Sequence, residues 1–252
     1  MVTTSTERQA MRRAGRVAAR TLALIGTRLA AGISTADIDR WVREDTSTRG
    51  ARPSQLGYHG FPAAVCTSRN DVVCHGVPRA DELLQAGDIL NVDITSELNG
   101  WHGDTSATFC IGEVSAEAKH LVETTRRALD AGLAVVRPGA HLGDIGAVIA
   151  ELARREGCSV VTDFGGHGIG RKMHLPPHVS HVGERGEGLV LREGMTFTIE
   201  PMLNLGSPET RVLDDGWTCV TVDGSWSAQF EHTVLVTRRG HEVLTEAVPP
   251  RR

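Results

Sequence analysis

The chain has 252 residues, enough for one large domain with a substantial core, and a formal charge of −4 that offers no basic footprint for a nucleic acid. Its five cysteines (Cys66, Cys74, Cys110, Cys158 and Cys219) are odd in number and include no Cys-x-x-Cys pair, which argues against both a disulfide framework and a structural zinc site. The start of the chain lacks the apolar core of a secretory signal, and no run approaches the ~20 apolar residues of a membrane span, so a cytoplasmic protein without membrane contact is expected.

From the N-terminus, Met11, Ala14, Val17, Ala18, Leu22, Ile25 and Leu29 recur at helical spacing. They predict a helix from about Thr6 to Ala31, ended by Gly32, with Thr35 capping a second helix through Val42. Strand-like segments follow between Phe61 and Ile111, with an Asn99-Gly100 turn that folds Asp93 and Asp104 onto neighbouring antiparallel strands. After Ser115 the order restarts: a helix to Val136, a break at Pro138-Gly139, a helix from about Leu142 to Glu156 closed by Gly157, then strands. This predicts an α+β fold of two pseudo-repeats, about 5–114 and 115–245, within a single domain spanning 1–252. The Arg12-Arg13, Arg126-Arg127 and Arg154-Arg155 pairs fall on predicted helices and read as solvated faces.

Four carboxylates interrupt apolar strand-like segments: Asp93 in Asn91-Val92-Asp93-Ile94, Asp104 in Gly103-Asp104-Thr105, Glu200 in Thr198-Ile199-Glu200, and Glu231 in Gln229-Phe230-Glu231-His232. Buried ionised acids cost several kcal/mol each unless a positive charge lies beside them, and Lys and Arg are scarce in these segments. His167, between the glycines of Gly165-Gly166-His167-Gly168, joins the set, the glycines allowing close approach to a site. Oxygen ligands with one imidazole suit Mn, Fe(II) or Co, and two divalent ions fit the count. Such a pair holds a water, lowers its pKa and clamps the oxygen that gains charge in hydrolysis.

Taken together with Leu56-Gly57-Tyr58-His59-Gly60-Phe61-Pro62, Val73-Cys74-His75-Gly76-Val77-Pro78 and Asp215-Gly216-Trp217-Thr218, these segments resemble the type I methionine aminopeptidases. That family has the pita-bread fold, a pseudo-twofold arrangement of helix-helix-strand halves around a central antiparallel sheet, shared with aminopeptidase P and prolidase. The resemblance implies Asp93 as a ligand of one metal, Asp104 and Glu231 as bridging carboxylates, and His167 and Glu200 as ligands of the other. It also implies Glu200 as general base, His75 at the scissile amide and His174 at the carbonyl oxygen as it becomes tetrahedral. The methionine pocket would be lined by Tyr58, Phe61, Cys66, Met173 and Trp217, soft and aromatic neighbours that suit a thioether.

This chain has Gln55 where the family frequently has cysteine, and Met173 where an aromatic is usual. Only 31 positions separate Glu200 from Glu231, leaving no room for the helical insertion of type II enzymes (231 − 200 = 31). Implied partners are peptides and nascent chains that begin with methionine; a monomer and transient ribosome contact are further expectations. The remaining histidines, including His178 and His181, read as surface or structural, since Pro176-Pro177 prevents a helix from presenting them with His174. Two other readings stay open: a proline-specific aminopeptidase or dipeptidase with the same ligands, and a non-catalytic pita-bread protein that binds peptides.

Overall fold

In the computed structural model, residues 1–246 are described; positions 247–252 of the expected domain lie outside the described residues. The first helix, α1, runs Ser5–Gly26, opened by a capping box in which Glu7 N–H donates to Thr4 Oγ1 (3.2 Å) and Thr4 N–H to Glu7 Oε2 (3.0 Å). It ends before the expected Ala31, because Thr27 donates its N–H to Ile25 and Leu24 and closes the last turn. The second, α2, spans Thr35–Thr48. Its cap is Ser34, whose hydroxyl accepts from Asp37 N–H (3.1 Å), and the buried Thr46 carries it beyond Val42. The later pair, α3 (Ala116–Ala134) and α4 (Leu142–Arg155), match the expected positions to within two residues.

The strands Ile89–Leu98 and Trp101–Cys110 form the expected hairpin, with Asn99 and Gly100 both at positive φ (54° and 77°) in the turn. The strand Glu231–Val236 lies between Trp101–Cys110 and Thr196–Ile199, and so joins sheet from both parts of the chain. Beyond Thr196–Ile199 come Gly166–Gly168 and Leu175–Val179. The mixed α/β architecture, with a curled antiparallel sheet, matches the expected class.

Helices cover this sheet through two main apolar clusters. One packs Ala18, Leu22, Ile25, Ile38 and Val42 of α1 and α2 against Leu90, Val92 and Ile94; the other packs Leu121, Leu129, Ile145 and Ile149 of α3 and α4 against Phe197, Ile199 and Val234. Aliphatic side chains dominate both, as the low aromatic content requires. Helix α1 approaches the hairpin so closely that a Cβ at Gly103 would strike the backbone of Gly15. Arg12 is no solvated face: it is half-buried and forms a two-point ion pair with Glu242 (2.6 and 2.7 Å).

Candidate metal centre and active-site cavity

The acids meet because of strand register. Asp93 is opposite Ser106, and Ser106 is opposite Glu231, which sets the three side chains in one row across three strands. Asp104, opposite Thr95, lies two residues along on the same face. Glu200 follows Ile199, the partner of His232, and therefore stands level with Glu231. His167 enters from the strand Gly166–Gly168, its backbone N–H donating to Thr198 Oγ1 (2.9 Å). The glycines around it serve a different end from the one expected: a Cβ at Gly166 would strike the Thr198 carbonyl, and one at Gly168 the Pro176 carbonyl, so they admit neighbouring strands.

The charge balance is incomplete. His167 Nε2 lies 3.6 Å from Asp104 Oδ2 and 3.7 Å from Glu200 Oε1, and among the described residues no Lys or Arg pairs with any of the four acids. Desolvation and the neighbouring carboxylates push Asp93 and Glu231 well above the usual carboxylate range. Burial, above all, raises Glu200 to about 7. Burial also opposes the charge of Asp104, but the His167 imidazole and the Thr95 hydroxyl (2.7 Å) hold it low. His167 is itself raised to about 9 by Asp104 and Glu200, against the effect of burial.

Asp93 Oδ1 and Glu231 Oε1 are enclosed acceptors with no hydrogen-bond donor among the described residues. Ligand atoms of Asp104, His167 and Glu231 lie within 4.8 Å of one another. Orphaned acceptors beside a convergent oxygen-and-imidazole set fit a divalent cation.

These groups line a cavity of about 340 Å³ that also holds Tyr58, Phe61, Cys66, His75, Met173, His174 and Trp217. Every side chain expected at the site is therefore brought to one cavity. Phe61 and Trp217 meet edge-on at 5.2 Å, and His174 stacks edge-on against His167 at 4.2 Å. His174 Nδ1 is 2.8 Å from the Tyr58 hydroxyl. Burial and the neighbouring His167 lower its pKa to about 4.

The profile of metallopeptidase family M24 matches residues 9–238. The chain belongs to this family. It is 48% identical over 239 residues to methionine aminopeptidase A of Synechocystis sp., covering 95% of this chain and 94% of that one. The solved structure of methionine aminopeptidase from Rickettsia prowazekii superposes with a TM-score of 0.95 at 45% identity, covering 97% and 99% of the two chains. Prolidase from Pyrococcus furiosus shares the fold at 20% identity and a TM-score of 0.78, with 65% of its chain covered.

Within this M24 cavity some wall residues escaped the sequence reading. Thr95 and Gln229 each sit two positions from an acid, so strand alternation alone would have found them. Gln229 Nε2 donates to Glu200 Oε2 (3.2 Å), and Thr198 Oγ1 to Glu200 Oε1 (2.7 Å). Phe164, Cys74 and Met202 also line the wall. His181 is fully buried and accepts the Glu200 N–H at Nε2 (3.0 Å), a structural role that depends on tertiary register.

Proposed function

We propose that this metallopeptidase removes N-terminal methionine from peptides and nascent chains when the next residue is small. The observation that carries the reading is a row of uncompensated acids facing a soft, partly aromatic pocket in one cavity. The relatives' names point the same way. Asp93, Asp104, His167, Glu200 and Glu231 would hold two divalent ions, with Mn, Fe(II) or Co suited to the donor set. When bound, such ions offset the acids' charge and supply the Lewis acidity that makes water a competent nucleophile near neutral pH.

The chain's own groups do the rest. The methionine side chain lies among Tyr58, Phe61, Cys66, Met173 and Trp217, where sulfur meets ring edges and a thiol. Glu200 accepts the proton of the attacking water, one oxygen steadied by Thr198 and the other by Gln229. The Tyr58 hydroxyl donates to His174 Nδ1, which leaves the proton on Nε2 for the carbonyl oxygen as it gains charge. His75 contacts the scissile amide. The second residue passes this crowded wall, where bulk obstructs the attacking geometry. We further read residues 5–114 and 115–245 as pseudo-repeats of a single domain.

The test is kcat/KM across a Met-X peptide series beside an X-Pro series. Efficient cleavage is expected before Gly, Ala, Ser, Thr, Pro, Val and Cys, with little before Leu, Lys, Glu or Phe. Rates indifferent to X, or a preference for X-Pro after other first residues, would favour a proline-specific peptidase.

A further inference from the structure

We propose that Cys74 and Cys219 form a reversible dithiol switch whose disulfide ties the strand that leads into His75 to the strand that follows Trp217 and slows peptide cleavage. The strands Val72–Cys74 and Cys219–Thr221 pair antiparallel with Cys219 directly opposite Cys74, beside a register shift. Directly opposed antiparallel residues have Cα atoms about 4.5–5.5 Å apart. That lies inside the roughly 4.4–6.8 Å window of disulfides, with both side chains on one face. Both thiols are buried, in a cluster with Val73, Val161 and Met202.

A buried cysteine alone is a small hydrophobe. Here the two thiols are chemically unlike. The neighbouring Cys74 thiol, with support from Thr210 and the Arg211 backbone, lowers the Cys219 pKa to about 7 against the effect of burial. Burial, and after it the neighbouring Cys219, push Cys74 up. Cys74 also lines the cavity, within reach of a small oxidant such as hydrogen peroxide.

Cys74 passes its proton to the Cys219 thiolate and attacks peroxide; the O–O bond breaks, giving a Cys74 sulfenic acid and hydroxide, which takes the proton back from Cys219 to become water. The Cys219 thiolate then attacks the Cys74 sulfur, the S–S bond forms, and the departing hydroxide takes a proton from solvent to become a second water. The Cys74 thiol and the Cys219 thiolate together lose two electrons to one peroxide, with one proton taken from solvent. Bond formation brings the sulfurs to about 2.05 Å and draws the strands together. His75, next to Cys74 and at a positive φ of 56°, sits where such a shift is felt, as does Trp217 two residues before Cys219.

The effect on cleavage rests on the proposed function; the cross-link does not. Mn(II)-loaded protein carrying Cys110→Ser, which removes the exposed thiol, is treated with peroxide and then with dithiothreitol. Peptide mapping is expected to show a Cys74–Cys219 cross-link. Methionine release from Met-Ala-Ser should fall between about ten- and a hundred-fold, with metal content unchanged and recovery on reduction. Cys219→Val, or Cys219→Ser if the valine variant fails to fold, should keep its reduced activity and resist the reversible loss. The proposal is overturned if no such cross-link forms, if it forms without loss of rate, or if the Cys219 variants lose rate equally. If the reduced protein releases no methionine, the functional reading fails, and the peptide map alone decides the thiol pair.

Discussion

His174 separates catalysis from metal binding at the scale of one side chain. It lines the cavity and bonds to Tyr58, yet it belongs to none of the row of acids. His174→Ala should therefore lower kcat by about 10² to 10³, the effect of losing one oxyanion donor, with metal stoichiometry and most of KM retained. Elemental analysis alongside steady-state kinetics checks this, and a collapse of metal content would make His174 a ligand. Gln55 works through the backbone of a proposed ligand: its buried amide donates to the Asp93 carbonyl (2.9 Å) and accepts from Thr95 N–H (3.2 Å), bracketing Asp93 on its strand. Gln55→Met keeps the size but strands both backbone groups, at a cost of about 1–3 kcal/mol. The expected outcome is weaker Mn(II) binding by calorimetry together with a lower unfolding midpoint, and unchanged affinity would deny Gln55 this role. The acids were legible in sequence because charge in an apolar strand is conspicuous. Phe164 and His181 were not, because their place depends on which distant strands pair.

Among the elements, the hairpin was legible because Asn-Gly dictates its turn, and the helix starts came within a residue or so, although Ser34, not the expected Thr35, caps the second helix. Helix ends were less so: α1 stops at Thr27 and α2 continues past Val42 for reasons of local closure and burial that periodicity does not encode. The entry to the strand Ile89–Leu98 hangs on Asp88, which accepts from Asn70 Nδ2 (2.8 Å), Gln85 N–H (2.8 Å) and Arg69 Nη1 (3.1 Å). Burial raises its pKa, but these donors win and hold it below the ordinary 3.8. A depressed folded pKa means that the unfolded chain binds more protons at acid pH. The stabilisation is thus present above pH 3.8 and lost as pH falls through the folded value. Asp88→Asn should cost about 2 kcal/mol at neutral pH. The gap from wild type should shrink at about pH 3, as urea midpoints at the two pH values would show; a constant gap would rule out the charge as its source.

Across the whole molecule, the site exists because the strand Glu231–Val236 joins the hairpin carrying Asp93 and Asp104 to the strand Thr196–Ile199 that leads into Glu200 and, beyond it, the strand carrying His167. The order of helices and strands could be read along the chain. The closure could not, since it pairs residues more than a hundred positions apart. Its consequence is a set of acids that no Lys or Arg among the described residues neutralises, with orphaned oxygens on Asp93 and Glu231. The account therefore stands on a cation completing the site and activating water for methionine release. The direct measurement is methionine released from Met-Ala-Ser by chelator-stripped protein as Mn(II) is titrated back. Negligible release is expected without metal, with recovery that saturates with bound Mn(II); full activity in the rigorously metal-free protein would overturn the metal dependence.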